Sequence, residues 1–316
     1  DDPPPLERVG TIALKGPAGG LDHLAVDARR GRLFVANTIN GTLDIVDLKA
    51  GRLLRQVPGQ GRIQGIDYSP EADRIFVGNG EGGVCNAFDA NDCRLIRSVR
   101  LGDDADNVRY NHRTRRIYVV HADRELAVID AVDFTVRSPI ALPKDLGALR
   151  LEAGRPRMYV NAKQGQVVVI DTDKDEVIDR FPVAPARGNA ALALDDPHRR
   201  LFIGCRERPS LVVMDSDTGK VVARVPIPGD VDDLSFDLSF DARRRRIYAS
   251  CGEGAIAVIE LLDPDRYRSL ATIPTAPRAR TSTFDPGSGR LYLAVPRRAD
   301  RPDQESPEVW VYEPRP

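Results

Sequence analysis

The sequence predicts an all-β protein, a single seven-bladed β-propeller built from four-stranded antiparallel blades. The first observation is a recurring phrase in which an apolar, β-branched run is followed by a turn and then by an alternating strand. A buried run followed by a half-exposed one is typical of neighbouring strands in one sheet. The phrase reads LDIVDLKAGRLLRQVPG from Leu43, VVVIDTDKDEVIDRFPV from Val167 and LVVMDSDTGKVVARVPIP from Leu211.

The second observation is the spacing of another strand pattern, in which Phe or Tyr stands between two apolar residues. Successive copies begin 41 to 46 residues apart, at Leu33, Ile75, Ile117, Met158, Leu201, Ile247 and Leu291. A period in the forties with four strands per repeat is typical of a β-propeller. Such a sheet cannot bury both faces alone, and blades packed around an axis cover one another.

The strands of each blade are named A to D from the channel outward. Blade one has predicted strands at residues 24–27, 33–37, 43–47 and 53–57, whereas blade seven has only three, at 282–285, 291–295 and 309–313. We expect residues 7–14 to supply the fourth strand of blade seven, because this closure removes free sheet edges. The whole chain, residues 1–316, then forms one domain. Its expected blades are residues 20–60, 61–103, 104–145, 146–187, 188–230, 231–277 and 278–314.

Every strand B is preceded by an arginine and every strand C ends in an acid. Since the start of strand B lies beside the end of strand C in a hairpin, we expect seven cross-strand ion pairs that fix the register. The expected pairs are Arg32–Asp47, Arg74–Asp89, Arg116–Asp130, Arg157–Asp171, Arg200–Asp215, Arg246–Glu260 and Arg290–Glu313. Further arginines in the A–B turns predict either a solvated rim or a basic face for an acidic partner.

The repeats resemble the YVTN-type propeller repeats of bacterial YncE-like proteins. The resemblance rests on the phrases from Val167 and Leu211 and on the RLFIG and RIYAS segments that recur with them, and it covers nearly the whole chain. It implies the fold, whereas function depends on the site that the fold carries. The sequence departs from the family pattern before strand A, where Gly-Pro is absent from most blades, and after it, where Pro-Asp-Gly becomes DARRGR or DARRRR.

The D–A and B–C loops form one end of the ring, called the funnel face, which commonly carries the ligand site in propellers. Loop Asp and Asn residues are usually turn formers, but oxygen ligands from several blades can converge on a hard cation such as Ca²⁺. This pattern resembles propeller lactonases and phosphotriesterases, which hold a channel metal. The predicted metal ligands are Asp22, Asn107, Asn189 and Asp233. The predicted ligand-binding residues are Asp22, His23, Gln64, Asn107, Asn189, Asp233 and Arg280.

A second ring of polar residues ends strand B in five blades. Its members include His121, Cys205 and Cys251, but they lie on separate blades, so joint ligation of Cu or Zn has poor geometry. We expect all four cysteines to be free. His23 and His121 are the histidines of the funnel face, so an enzyme here would use one of them as its base. The loop of residues 296–307 is interpreted as a lid, a partner contact or an insertion without a role.

Three functional hypotheses remain. The first is an exported, periplasmic or secreted propeller that binds a small ligand or a protein at the funnel face. The alternative is a metal-dependent hydrolase of the lactonase, arylesterase or phosphotriesterase type, and the third is a redox-partner scaffold. We expect a monomer. The net charge of −1 disfavours nucleic acid, no apolar run approaches the ~18–20 residues of a membrane span, and the Asp-Asp-Pro-Pro-Pro start suits a processed chain.

Overall fold

A computed structural model describes residues 3–122, 124–229, 238–241, 244–301 and 303–315. It consists of seven four-stranded antiparallel sheets, which confirms the predicted propeller. The strands of blades one to three are β2 Leu24–Asp27, β3 Arg32–Asn37, β4 Thr42–Asp47, β5 Arg52–Val57, β6 Ile63–Ser69, β7 Arg74–Asn79, β8 Val84–Asp89, β9 Leu95–Arg100, β10 Val108–Asn111, β11 Arg116–His121, β12 Glu125–Asp130 and β13 Ile140–Ala141.

Blades four to seven repeat the same order from the channel outward. Their strands are β14 Leu146–Leu151, β15 Arg157–Ala162, β16 Gln166–Asp171, β17 Glu176–Pro182, β18 Arg187–Asp195, β19 Arg200–Glu207, β20 Ser210–Asp215, β21 Val221–Pro226, β22 Leu238–Asp241, β23 Arg246–Cys251, β24 Ala255–Asp263, β25 Arg266–Pro274, β26 Ser282–Asp285, β27 Arg290–Val295 and β28 Glu308–Pro314. The described residues contain no helix that is long and apolar enough to span a membrane.

The ring is closed by the N-terminal strand, as the sequence predicts. Strand β1, Leu6–Ala13, pairs antiparallel with β28 and is the outer strand of blade seven. Its register places Leu6 opposite Pro314 and Ala13 opposite Glu308. The two ends of the described chain therefore meet in one sheet, and β1 covers the edge of β28 that would otherwise be open.

The core lies between blades rather than within them. One cluster joins Phe34 of blade one to Ile75 and Val77 of blade two, and the same arrangement recurs around the ring. The aromatic residue of each strand B is the largest side chain in these layers; Phe34, Tyr118 and Tyr159 are fully buried. Because each sheet packs against the next, the inner strands are fixed relative to one another, and they surround the central channel.

The predicted B–C register is confirmed, but most of the predicted ion pairs are wrong. Arg32 lies opposite Asp47, and Arg116 lies opposite Asp130. Among the described ion pairs, however, only Arg200–Asp215, at 2.9 Å, and Arg290–Glu313, at 2.6 Å, join these partners.

Instead, the arginines reach across to the C–D turn of the next blade. Arg32 Nη1 donates to Asn91 O at 2.9 Å, and Arg116 Nη1 donates to Thr172 O at 2.9 Å. The acids cap their own C–D turns instead. Asp47 Oδ1, for example, accepts hydrogen bonds from the backbone N–H groups of residues 49 and 50. The acid is satisfied locally as an Asx turn, and the long arginine is left free to join two blades.

Many of the additional arginines at the A–B turns are also paired. Arg30 contacts Asp73 of the next blade at 2.6 Å, and Arg113 contacts Asp173 at 2.7 Å. These pairs neutralise part of the basic face that the sequence predicts. Docking of an acidic partner there stays a prediction.

Candidate functional site

Two equivalent segments bring polar side chains to the funnel face. Asp22 and His23 precede β2, and Asp106 and Asn107 precede β10. Each segment continues the backbone ladder of strand A along strand B: Asp22 N donates to Ala36 O, and Asp106 N donates to Val120 O, both at 2.9 Å. The side chains are therefore held by a sheet edge rather than by a free loop.

Two glycines of blade two allow the Asp106 segment to lie close to that blade. A Cβ atom on Gly65 would lie 2.1 Å from the carbonyl oxygen of Asp106, and one on Gly78 would lie 2.4 Å from it. Such distances are far below van der Waals contact, so the approach requires residues without a side chain. Gly65 and Gly78 thereby determine where Asp106 meets the channel.

His23 and Asp22 form a buried pair. The Nδ1 atom of His23 lies 2.8 Å from Asp22 Oδ1, and only 8% of the histidine surface is exposed. The two atoms are close, but neither has a hydrogen bond of good geometry within the described structure. Burial lowers the pKa of His23, but the carboxylates of Asp22 and Asp106 outweigh this effect, and the net result is a raised pKa.

Asp106 shares this electrostatic environment. Burial, together with the negative charge of Asp22, raises the pKa of Asp106 to about 6, although His23 and Lys163 act in the opposite direction. If Asp106 had a cation of its own, its pKa would be lowered instead. His23 of blade one and Asp106 of blade three therefore both have raised pKa values within one buried set of charges.

Sequence reasoning missed three charged residues in the channel wall, namely Asp67, Arg109 and Arg150. Each lies opposite the aromatic residue of strand B in its own blade. Other blades carry Ala25, Ala193 and Thr283 at this position. The sequence feature that could have identified them is a charged residue inside a short strand A, one or two positions before the end of that strand.

Asp67 and Arg109 connect the funnel face with the rest of the channel. Burial raises the pKa of Asp67, although the charges of Arg109 and Arg150 oppose this increase. Arg109 also acts on His23, whose pKa it lowers. The channel wall of blades one to three is therefore one connected set of charges, extending from His23 to Asp67.

Among the other predicted ligand-binding residues, two asparagines behave differently. Asn107 is 2% exposed, and its Oδ1 atom has no hydrogen-bond partner within the described structure. Asn189 instead donates to Gln166 O at 2.8 Å and accepts from Gly165 N at 3.1 Å. Asn107 is thus available to a ligand, whereas the amide of Asn189 is engaged by the blade itself.

The remaining predicted residues lie around the same face. Gln64 donates to Asp104 Oδ1 at 2.9 Å. Arg280 is buried at 4% exposure, directly before Thr281, whose hydroxyl donates to Asp22 O at 3.0 Å. Asp233 lies outside the described residues.

His121 belongs to a separate environment. Its Nε2 atom lies 3.5 Å from Glu125 across the B–C hairpin of blade three. Burial lowers the pKa of His121, and the charges of Glu125 and Asp103 only partly oppose this effect. The pKa values of the two candidate bases, His23 and His121, are therefore shifted in opposite directions.

Neither a metal cluster nor a disulfide is found among the described residues. No three His, Cys, Asp or Glu side chains there are grouped as ligands for a metal ion. All four cysteines are buried and none forms a disulfide, and burial raises the pKa of both Cys85 and Cys205 to about 12. A buried cysteine of this kind behaves as a small apolar side chain.

The loop of residues 296–307 packs beside the N-terminal segment at the funnel face. Gly19 N donates to Arg297 O at 3.0 Å, and Gln304 Nε2 donates to Pro296 O at 3.2 Å. These bonds hold the described part of the loop against blade seven and the start of blade one.

Comparison with known proteins supports the fold and a distant relationship. No family model matches the chain. It is 22% identical over 200 residues to "Uncharacterized protein YncE" of Salmonella typhimurium and, to the same extent, to that of Salmonella typhi, covering 61% of this chain and 54% of each relative. The chain thus spans about half the length of these curated relatives. This distant homology confirms the resemblance seen in the repeats.

Solved structures show the same architecture. The WD40 repeats of RRP9 align with a TM-score of 0.82 at 13% identity, covering 98% of this chain and 100% of that one. Hydrazine synthase of Kuenenia stuttgartiensis aligns with a TM-score of 0.76 at 14% identity, covering 89% of this chain and 94% of that chain. At such low identity the likeness shows the fold alone.

Proposed function

We propose that this YncE-like propeller binds a small polar ligand through its funnel face, without catalysing a reaction. The observation that carries the proposal is Asn107 Oδ1, a buried oxygen with no hydrogen-bond partner within the described structure. It belongs to the same face of the propeller as the buried Asp22–His23 pair, whose Oδ1 and Nδ1 atoms lie 2.8 Å apart. Buried polar atoms are nearly always hydrogen-bonded, so an oxygen without a partner at the funnel face favours a site that a ligand completes.

The metal-dependent hydrolase is the weaker hypothesis. A channel cation would need several oxygen ligands, yet Asn189 is engaged within its blade and no three-residue ligand cluster occurs in the described parts. A base such as His23 also needs a substrate bond to act on, and no nucleophile motif accompanies it in the sequence. The binding hypothesis needs neither a metal nor a nucleophile.

The test is a ligand screen by saturation-transfer NMR on the whole chain, using pooled amino acids, sugars and small carboxylates. We expect at least one compound to bind and Asn107→Ala to weaken that binding at least tenfold. Asn86→Ala is the matched control, because Asn86 is a buried asparagine whose hydrogen bonds to Gln60 and Ser98 lie away from the channel. It should lower stability and leave binding unchanged.

The hydrolase hypothesis predicts a different result, namely metal-dependent turnover of a substrate. Metal analysis of the purified protein, together with turnover of lactones and aryl esters with and without chelator, detects it directly. Chelator-sensitive turnover that is lost in Asn107→Ala would overturn the binding proposal. A screen in which no compound binds would overturn it as well.

A further inference from the structure

A cavity of about 360 Å³ lies in the central channel, and none of the described funnel-face residues lines it. It is lined by the inner strands of blades one, two, three and seven, and it extends to the A–B turns of blades one and seven. Its walls combine apolar residues, among them Leu24, Val26 and Phe284, with polar groups that supply the larger part of the exposed surface. The volume is at the lower end of the ~300–1,000 Å³ range of ligand pockets, so it suits a small molecule.

Three charged residues line this cavity. Asp285 of blade seven caps its own turn, accepting from the backbone N–H groups of residues 287 and 288. The other two, Asp67 of blade two and Arg109 of blade three, lie on adjacent blades and are bonded to the backbone. Asp67 Oδ2 accepts from Tyr110 N at 2.7 Å, and Arg109 Nη1 donates to Val108 O at 2.7 Å. Neither takes part in an ion pair within the described structure, although the two interact electrostatically.

A carboxylate and a guanidinium that are removed from water are stabilised only when each meets an opposite charge in good geometry. A ligand that carries both charges supplies this geometry at both sites. A guanidinium can hold a carboxylate through two parallel hydrogen bonds, and a carboxylate can accept from an ammonium group. Thr283 adds a hydroxyl on the opposite wall of the same cavity.

We propose that the cavity binds an α-amino acid with an apolar side chain. Its carboxylate would contact Arg109, its ammonium group would contact Asp67, and its side chain would lie against Leu24 and Phe284. The inference rests on the proposed binding function and specifies its ligand class. It places the ligand deeper in the channel than the funnel-face residues, with Arg109 lining the cavity and acting electrostatically on His23.

The experiment is isothermal titration calorimetry of the whole chain with L-leucine, isovalerate and isoamylamine. Isovalerate lacks the ammonium group together with the carbon atom that bears it, and isoamylamine lacks the carboxylate. We expect L-leucine to bind and each analogue to bind at least tenfold more weakly. These comparisons use the unaltered protein, so they hold even where a channel variant fails to fold.

Variants then assign each charge to its residue. Arg109→Gln is expected to weaken L-leucine binding at least tenfold and to remove its advantage over isoamylamine. Asp67→Asn is expected to remove the advantage over isovalerate. Arg97→Gln and Asp179→Asn are the controls, because both residues are exposed on outer strands, and they should bind L-leucine as the parent does.

The inference is overturned if L-leucine gives no binding at millimolar concentration, or if either analogue binds as tightly as L-leucine. Folded Arg109→Gln and Asp67→Asn variants with unchanged affinity would also overturn it. If L-leucine fails while another compound still depends on Asn107, only this inference is lost. If no compound binds, the proposed function fails as well.

Discussion

The arginines that begin the B strands and the charged residues of the channel differ in what surrounds them. Five of the seven B-strand arginines donate to a backbone carbonyl or an acid in the C–D turn of the next blade, as Arg74 does to Ala131 O at 2.8 Å. A sixth, Arg246, donates to the carbonyl oxygens of Pro5 and Arg315 in the next blade. In the channel, by contrast, Asp67 and Arg109 lack an ion-pair partner among the described residues, and the pKa values of Asp67, Asp106 and His23 are raised.

This difference distinguishes the charges that stabilise the scaffold from the charges of the candidate site. The arginine that recurs in every blade has a partner supplied by the next blade in six cases, so it stabilises the ring, whereas Arg290 pairs with Glu313 of its own blade. A charge that occurs in only two or three blades has no such repeated partner, and its proton affinity is shifted by burial and by its neighbours. The four predictions below test this contrast, beginning with the largest expected effect.

The first prediction concerns the close approach of blades two and three. Gly65→Ala would place a Cβ atom 2.1 Å from Asp106 O, so we expect the free energy of unfolding to fall by about 2–3 kcal/mol. Urea denaturation measures the change. Gly154→Ala is the control, because a Cβ atom there meets nothing within 4 Å. Equal effects of the two substitutions would contradict the proposed packing.

The second prediction concerns the partner of Arg116. Its guanidinium lies 2.9 Å from Asp175 rather than pairing with Asp130, which caps its own turn through Val132 N at 2.8 Å. Asp175→Asn should lower the free energy of unfolding by about 1–2 kcal/mol because it removes the charge from a mostly buried pair. Asp130→Asn should be nearly neutral, since asparagine also forms this turn. Urea denaturation measures both changes. A larger loss of stability in Asp130→Asn than in Asp175→Asn would indicate that Arg116 pairs with Asp130 after all.

The third prediction concerns pH. The pKa of Asp106 is about 6 in the folded state against an ordinary 3.8. Its stabilising contribution is therefore complete below pH 3.8 and is lost as the pH rises through about 6. Asp106→Asn should stabilise the protein at pH 7.5 by up to about 3 kcal/mol, and this gain should disappear below pH 4.

Urea denaturation at both pH values measures the gain. Asp133→Asn serves as the control, because hydrogen bonds from Thr135 lower the pKa of Asp133, so this substitution should give no gain at pH 7.5. A gain from Asp106→Asn that persists at low pH would show that charge is not its cause.

The smallest expected effect is the contrast between the two buried histidines. His23 should titrate above pH 6.5 and His121 below it, as their opposite pKa shifts require. Asp106→Asn should lower the pKa of His23 and leave that of His121 unchanged. Long-range ¹H–¹⁵N NMR across a pH series reads both values, with His23→Gln and His121→Gln used for assignment. A single shared pKa would contradict the two environments.

The propeller, its seven blades and its closure by the N-terminal strand could all be predicted from the amino-acid sequence alone. These follow from a repeated strand pattern with a fixed period, which constrains the fold at every repeat. The B–C register was predictable for the same reason, because Arg32 and Asp47 occupy fixed positions in one hairpin.

The partners of the charged side chains could be identified only from the three-dimensional structure. Arg32 bonds to a turn 59 residues away, a contact that depends on how two blades pack and not on the hairpin. The same holds for Asn107 and Asn189, which look alike in sequence, although one has an unpaired oxygen and the other is bonded within its blade. Asp67 and Arg109 were missed because both lie inside short inner strands, where the sequence pattern does not show which residues line the cavity. Side-chain partners across blades depend on packing in three dimensions, which a one-dimensional period does not encode.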